Sequence, residues 1–359
     1  MLNKLFSYKL VAVMLTVFLL AVPLLGCAGD AGRKGGEEKG APPEASAGYE
    51  EAEARLLELL APLPQAGGDY KIAALLITLA NPFWITMKEG YEAAAREYGV
   101  HVDVLSAPKE DDVNSQLEAL QTVLAKDYDA VALSAITPYN LVPGVAEATR
   151  KGIPVIAVGT SVDAEAAEAA GARIEAFITS DFAKQGEIGA QYIIDKIGSG
   201  KVAVIEGLPG AAQGEARKNG ARQAFENTDK IELVSVQPGN WDRRTAYDIT
   251  ASLIQAHPDI KGIFCANDVM ALGAVEALQA AGKKKYVVVV GVDFIDEARE
   301  SIRRGELDGT VAMSPFLFGK GGLILALKVL EGHELREDIY WTPLGMVHSE
   351  NLSAFDGWK

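Results

Sequence analysis

The stretch Gly262-Ile263-Phe264-Cys265-Ala266-Asn267-Asp268-Val269-Met270-Ala271-Leu272-Gly273 decides how this chain folds. Ile263, Phe264 and Cys265 form an apolar run too short for a helix, so they read as a buried strand. Two polar residues follow, and Met270, Ala271 and Leu272 then begin a helix. Asp268 is placed to cap that helix, because its carboxylate can accept the free N–H groups of the first turn. Asn267 stands at the carboxyl end of the strand, where open α/β sheets bind ligands. Its amide carries two donors and an acceptor. Taken alone, Asn267 is first of all a turn residue, and the rest of the chain decides whether it is more.

The same strand–turn–helix unit recurs on both sides. Upstream, residues 70–77 are a near-continuous apolar run, as in a strand covered on both faces. Helical periodicity follows over 82–98 through Met87, Tyr91, Ala94 and Ala95. Strands at 101–105, 130–133 and 154–158 alternate with helices at 112–125 and 141–150, with Gly152 and Pro154 as stop and restart. A strand near 174–178 opens a second run: helix 181–197, strand 202–205, helix 216–225, strand 232–236 and helix 243–256. After the opening stretch come strand 286–290, helix 295–303, strand 310–313, helix 319–330 and a short strand near Tyr340 and Trp341. Strands alternating with helices of this length predict an α/β fold with parallel sheets. A βα-barrel is the rival arrangement, but the spacing suggests two similar halves and not eight even units.

A chain of 359 residues has room for two domains with sizeable cores. Hydrophobic residues at 49% and charged residues at 23% describe a globular protein. The net charge of −15 argues against a nucleic acid partner, which needs clustered Lys and Arg. Four scattered histidines and two cysteines offer no ligand set for a metal.

Lys4 and Lys9 precede an apolar run from Leu10 to Leu25, broken by Pro23 and ending at Gly26-Cys27. This is the pattern of a secretory signal over residues 1–26. Leu24-Leu25-Gly26-Cys27 resembles the lipobox of bacterial lipoproteins, which makes Cys27 a lipidation site and places the protein on the outer face of a bacterial cell membrane. The rival, an uncleaved spanning helix, is opposed by the short run and by Pro23. Residues 27–68 read as a lipidated tether rich in Gly, Ala, Glu and Pro, ending in a short acidic amphipathic helix near 50–60. Cys265 is left as a small buried hydrophobe without a disulfide.

Enzyme signatures are absent. There is no Gly-x-Ser-x-Gly elbow, no phosphate loop with its lysine and hydroxyl, and no dinucleotide fingerprint after the first strand. His333-Glu334 lacks the second histidine of a zinc protease. No catalytic residue and no cofactor are expected. Polar and aromatic residues do recur at strand ends: Asn81-Pro82-Phe83-Trp84, Arg217, Gly239-Asn240-Trp241-Asp242-Arg243, Asn267 and Asp293. Aromatic rings cover the apolar face of a sugar or polyol, and Asn, Asp and Arg pair with its hydroxyls. Arg217 and Asp293 could offset each other's charge in a closed site.

On these motifs the chain resembles the periplasmic sugar-binding proteins of ribose-binding type, which serve ABC transporters. The resemblance runs from about Lys71 to Val347 and includes Gln237-Pro238-Gly239-Asn240-Trp241-Asp242-Arg243 and Gly291-Val292-Asp293. It implies a type I periplasmic binding protein: two Rossmann-like lobes joined by a three-strand hinge, with the ligand in the cleft. The lobes would be 69–179 with 314–341, and 180–313 with 342–359, crossing near Thr179, Met313 and Trp341. It implies that Asn81, Phe83 and Trp84 bind from the first lobe, and Arg217, Trp241, Asn267 and Asp293 from the second. Three positions depart from the ribose binders. Gly159 and Thr160 replace an Asp-Arg pair, Met313 replaces a hinge Gln, and Val292 replaces Phe. A site built to bond hydroxyls discriminates through buried pairing, so a sugar or polyol other than ribose is expected, with Thr160 as a weaker contact.

The leading expectation is therefore a solute-binding lipoprotein that is not an enzyme and delivers a sugar to an ABC permease. The alternative is a sensory protein presenting a ligand to a membrane receptor or kinase. A repressor on the related fold is opposed by the export signal and the acidic charge, and an exported enzyme has no residue set behind it.

Overall fold

The computed structural model describes residues 48–65 and 67–359. The signal, Cys27 and most of the tether lie outside these residues. Helix α1 (Tyr49–Leu59) precedes the first repeated units: β1 (Lys71–Thr78), α2 (Pro82–Tyr98), β2 (His101–Ala107), α3 (Val113–Leu124) and β3 (Ala130–Leu133). Then come α4 (Val142–Lys151), β4 (Val155–Val158), α5 (Ala164–Ala170) and β5 (Ala176–Thr179). The second run holds α6 (Phe182–Ile197), β6 (Gly200–Glu206), α7 (Ala212–Glu226), β7 (Ile231–Pro238), α8 (Arg243–Ala256) and β8 (Ile260–Cys265). It continues with α9 (Asp268–Ala280), β9 (Val288–Asp293), α10 (Asp296–Arg303) and β10 (Gly309–Ala312). Last are α11 (Pro315–Leu330), β11 (Ile339–Trp341) and β12 (Gly345–His348).

These strands form two six-stranded sheets, ordered β11-β5-β4-β3-β1-β2 and β12-β10-β9-β8-β6-β7. All pairings are parallel except β10 with β12. The fold is thus α/β with two lobes, and the chain passes between the sheets three times: from β5 to α6, from β10 to α11, and from β11 to β12. β3 and β4 are buried at every residue, because helices cover both faces of their sheet.

Local chemistry sets the helix starts that face the cleft. Asn81 caps α2 by accepting from Phe83 N, with Pro82 in the first turn. Asn267, not Asp268, caps α9: its side chain accepts from Met270 N at 2.9 Å. Asp268 lies one residue inside the helix. Its Oδ2 accepts from Ile295 N and its Oδ1 accepts from the Thr310 hydroxyl, so it ties the start of α9 to the loop after β9 and to β10. In the second lobe α6 and α7 touch backbone to backbone. A Cβ on Gly186 would lie 2.0 Å from Arg217 O, and one on Gly220 would lie 2.0 Å from Ala183 O. Only glycine allows this approach, and it brings Arg217 beside Gln185. Among the described residues no helix is long and apolar enough to cross a membrane, and no cluster of His, Cys, Asp and Glu could hold a metal ion.

Candidate functional site

One cleft between the two sheets gathers Asn81, Phe83, Trp84, Thr160, Arg217, Trp241, Asn267 and Asp293, with about 410 Å³ of empty space counting its open mouth. Seven of the eight come from the carboxyl end of a strand or the start of the helix that follows, which is the ligand-binding edge of such sheets, and Arg217 reaches in from the second turn of α7.

The aromatic wall belongs mainly to the first lobe. Phe83 and Trp84 meet edge to face with ring centroids 4.9 Å apart, and Phe318 of α11 lies 6.4 Å from Phe83. Trp241 closes the opposite side from the second lobe. Its ring lies on Gly207 so closely that a Cβ there would fall 2.0 Å from Trp241 Cη2. Trp241 has φ 63° and the preceding Asn240 φ 55°. That left-handed backbone is costly for a bulky residue, and such strain collects at ligand sites.

The polar wall is centred on Arg217. Its Nε donates to Gln185 Oε1 at 2.7 Å, Nη1 to Ala266 O at 2.8 Å and Nη2 to Asp293 Oδ1 at 3.1 Å. The guanidinium also lies 5.5 Å from the centre of the Phe182 ring. Asp293 stands on strained backbone, with φ 118°, and Phe294 follows with φ 61°. The bond from Ile295 N to Asp268 helps hold that loop. Burial pushes the Asp293 carboxyl up to about 6 against the pull of Arg217. Burial and the nearby Asp293 also raise Asp268 well above the carboxylate range.

Strand-end reasoning did not pick out Glu110, Phe182, Gln213 and Phe318, which also line the cleft. Glu110 sits just past β2 and accepts from Asn81 Nδ2 at 3.0 Å. Burial raises it to about 7, with Asn81 and Trp84 opposing the shift and Asp293 adding to it. It lies in the run Lys109-Glu110-Asp111-Asp112, which reads as a solvated loop. Its position after a strand was the usable signal. Gln213 Oε1 is buried without a hydrogen-bond partner among the described residues. It is an acceptor that a ligand hydroxyl would satisfy. Thr160 donates its hydroxyl to Ala135 O at 2.8 Å, which leaves only oxygen lone pairs for a ligand. Met313 lies behind Arg217, where its sulfur takes the Gln185 Nε2 contact at 3.2 Å.

Two parallel-sheet lobes with an aromatic and polar cleft between them define a solute-binding protein. Residues 72–334 match the family described as periplasmic binding protein domain, and the chain belongs to that family. Over 255 residues it is 44% identical to the D-allose-binding periplasmic protein of Escherichia coli K12, covering 70% of this chain and 82% of that one. A ribose import binding protein of Bacillus subtilis strain 168 is 32% identical over 272 residues, 76% of this chain and 85% of that one. Among solved structures, an ABC transporter periplasmic solute-binding protein from Actinobacillus succinogenes 130z with bound D-allose superposes with a TM-score of 0.77. It is 33% identical and covers 80% of this chain and 100% of that one. Relatives of this kind serve sugar import.

Proposed function

We propose that this chain captures D-allose, or a pyranose of closely similar hydroxyl pattern, between its lobes and presents it to the permease of an ABC importer. The observation that carries this reading is the D-allose binder at 44% identity, taken with a cleft whose aromatic and polar walls suit a sugar. Asn81, Phe83, Trp84 and Thr160 act from the lobe made of 69–179 with 314–341. Arg217, Trp241, Asn267 and Asp293 act from the lobe made of 180–313 with 342–359. Met313 belongs to the hinge. Phe83, Trp84 and Trp241 cover the apolar C–H faces. Asn267 keeps its cap through Oδ1 and offers Nδ2 to a hydroxyl, while Arg217 and Asp293 share adjacent hydroxyls. The protein works by binding alone, without catalysis. Gly159 and Thr160 lack the charged pair that a ribose site uses, which disfavours ribose.

The same reading places the protein outside the cytoplasmic membrane, held by lipid on Cys27 after removal of residues 1–26. A thermal-shift screen of the purified protein against sugars, polyols and nucleosides tests the ligand class, because a bound ligand raises the melting temperature. A shift with D-allose and none with ribose supports the assignment. A shift with nucleosides alone overturns it.

A further inference from the structure

Gln185 lies on α6 and is fully buried, outside the set of residues that line the cleft. Its Oε1 accepts from Arg217 Nε at 2.7 Å. Its Nε2 lies 3.1 Å from Ser180 Oγ and 3.2 Å from Met313 Sδ. Ser180 stands in the passage from β5 to α6, and Met313 in the passage from β10 to α11. The amide is therefore braced on two of the three crossings between the lobes. Its orientation is determined by chemistry: turned over, it would set an N–H donor against the Nε–H of Arg217, which can only donate.

We propose that Gln185 is a positioning residue for the sugar: it fixes the rotamer of Arg217 in the cleft and braces that rotamer on the hinge. Arginine has four rotatable side-chain bonds, and ordering it at the moment of binding would cost affinity. Here the ordering is done beforehand by three oxygen acceptors and, more weakly, by Met313 Sδ. Ala266 O is backbone and Asp293 is itself a cleft residue. Among the described residues Gln185 is the one side-chain oxygen that holds Arg217 without lining the cleft; Met313 Sδ, at 3.8 Å from Nη2, is a weaker sulfur contact. Phe182 beneath the guanidinium limits the remaining freedom. The inference rests on Arg217 being a sugar contact, as proposed above.

Two substitutions of the same length separate positioning from bulk. Gln185→Met fills the space but offers only a weak sulfur acceptor, and Gln185→Glu keeps an oxygen acceptor for Arg217. Titration calorimetry of the purified protein with D-allose is expected to show Kd raised at least about tenfold by Gln185→Met, the size of a lost hydrogen bond to a charged group. Gln185→Glu is expected to stay within about threefold of the unsubstituted protein. A merely structural residue would lower the melting temperature without this split in affinity. Unchanged affinity in a folded Gln185→Met overturns the proposal, and so does equal loss in both variants. If Gln185→Met does not fold, Gln185→Glu decides, and a folded Gln185→Glu with tenfold weaker binding overturns the proposal. A protein that binds D-allose normally in every variant refutes only the role of Gln185. An unsubstituted protein that binds no sugar of a panel overturns the functional reading and this inference with it.

Discussion

Arg217 Nη2 donates to Asp293 Oδ1 at 3.1 Å, and both side chains are only 5% exposed. Removing one partner of a buried pair leaves the other charge uncompensated, at a cost of roughly 3–5 kcal/mol. Asp293→Asn should lower the melting temperature and weaken sugar binding together, as thermal unfolding and calorimetry would report. A variant with native stability would show that Arg217 is satisfied by Gln185 and Ala266 alone.

Trp241 gives a cleaner separation of binding from folding. Trp241→Ala should leave the circular dichroism spectrum intact and weaken sugar binding by about 2–4 kcal/mol, the range of aromatic anchors in closed pockets. Gly207→Ala tests the same ring from behind. Its Cβ would fall 2.0 Å from Trp241 Cη2, so the ring must leave its place and affinity should drop about tenfold or more. Unchanged affinity in both would remove Trp241 from the site.

The cleft carboxyls make stability depend on pH. Burial raises Asp293 to about 6 and Glu110 to about 7 in the folded protein, while the unfolded chain releases these protons near pH 4. The folded state therefore binds more protons between about pH 4 and 7, and the sugar-free protein loses stability as pH rises through that window. Glu110→Gln should remove that group's share of the loss, so that the melting temperature falls less between pH 6 and 8 than in the unsubstituted protein, with the remainder belonging to Asp268 and Asp293. A slope above pH 6 equal to that of the unsubstituted protein would assign it to another group.

Helix α1 is part of the first lobe's packing. Lys328 Nζ is buried and donates to Leu60 O at 2.6 Å and Pro62 O at 2.8 Å. Leu56 and Leu60 are buried as well. A chain starting at Tyr70 would expose the surface those leucines cover and strand the amine, a loss of roughly 3–6 kcal/mol. Chemical denaturation of the two lengths measures it, and equal stability would reduce α1 to a passive tether.

The architecture was legible because each buried strand is a continuous apolar run and each helix has its own period. What escaped was short or masked by composition. α5 is Ala164-Glu165-Ala166-Ala167-Glu168-Ala169-Ala170, with no apolar stripe to mark a face. β12 is four residues held by antiparallel pairing to β10, so its strand character comes from its partner. α7 and α11 begin earlier than periodicity suggested, at Ala212 and Pro315. In the site, strand-end residues stood out because position and chemistry agreed. Glu110 was hidden in a charge run, and Gln185 acts through contacts that only the α6–α7 packing creates. Asp268 was read as a cap because its carboxylate suited one, but Asn267 takes the cap and Asp268 turns to Ile295 and Thr310.

Calorimetric titration of the purified protein with D-allose and, separately, with D-ribose tests the assignment of the sugar. One site per chain is expected, with D-allose bound at micromolar Kd or tighter and D-ribose at least about tenfold weaker. Tighter binding of ribose, or no heat with D-allose from a folded protein, would contradict it.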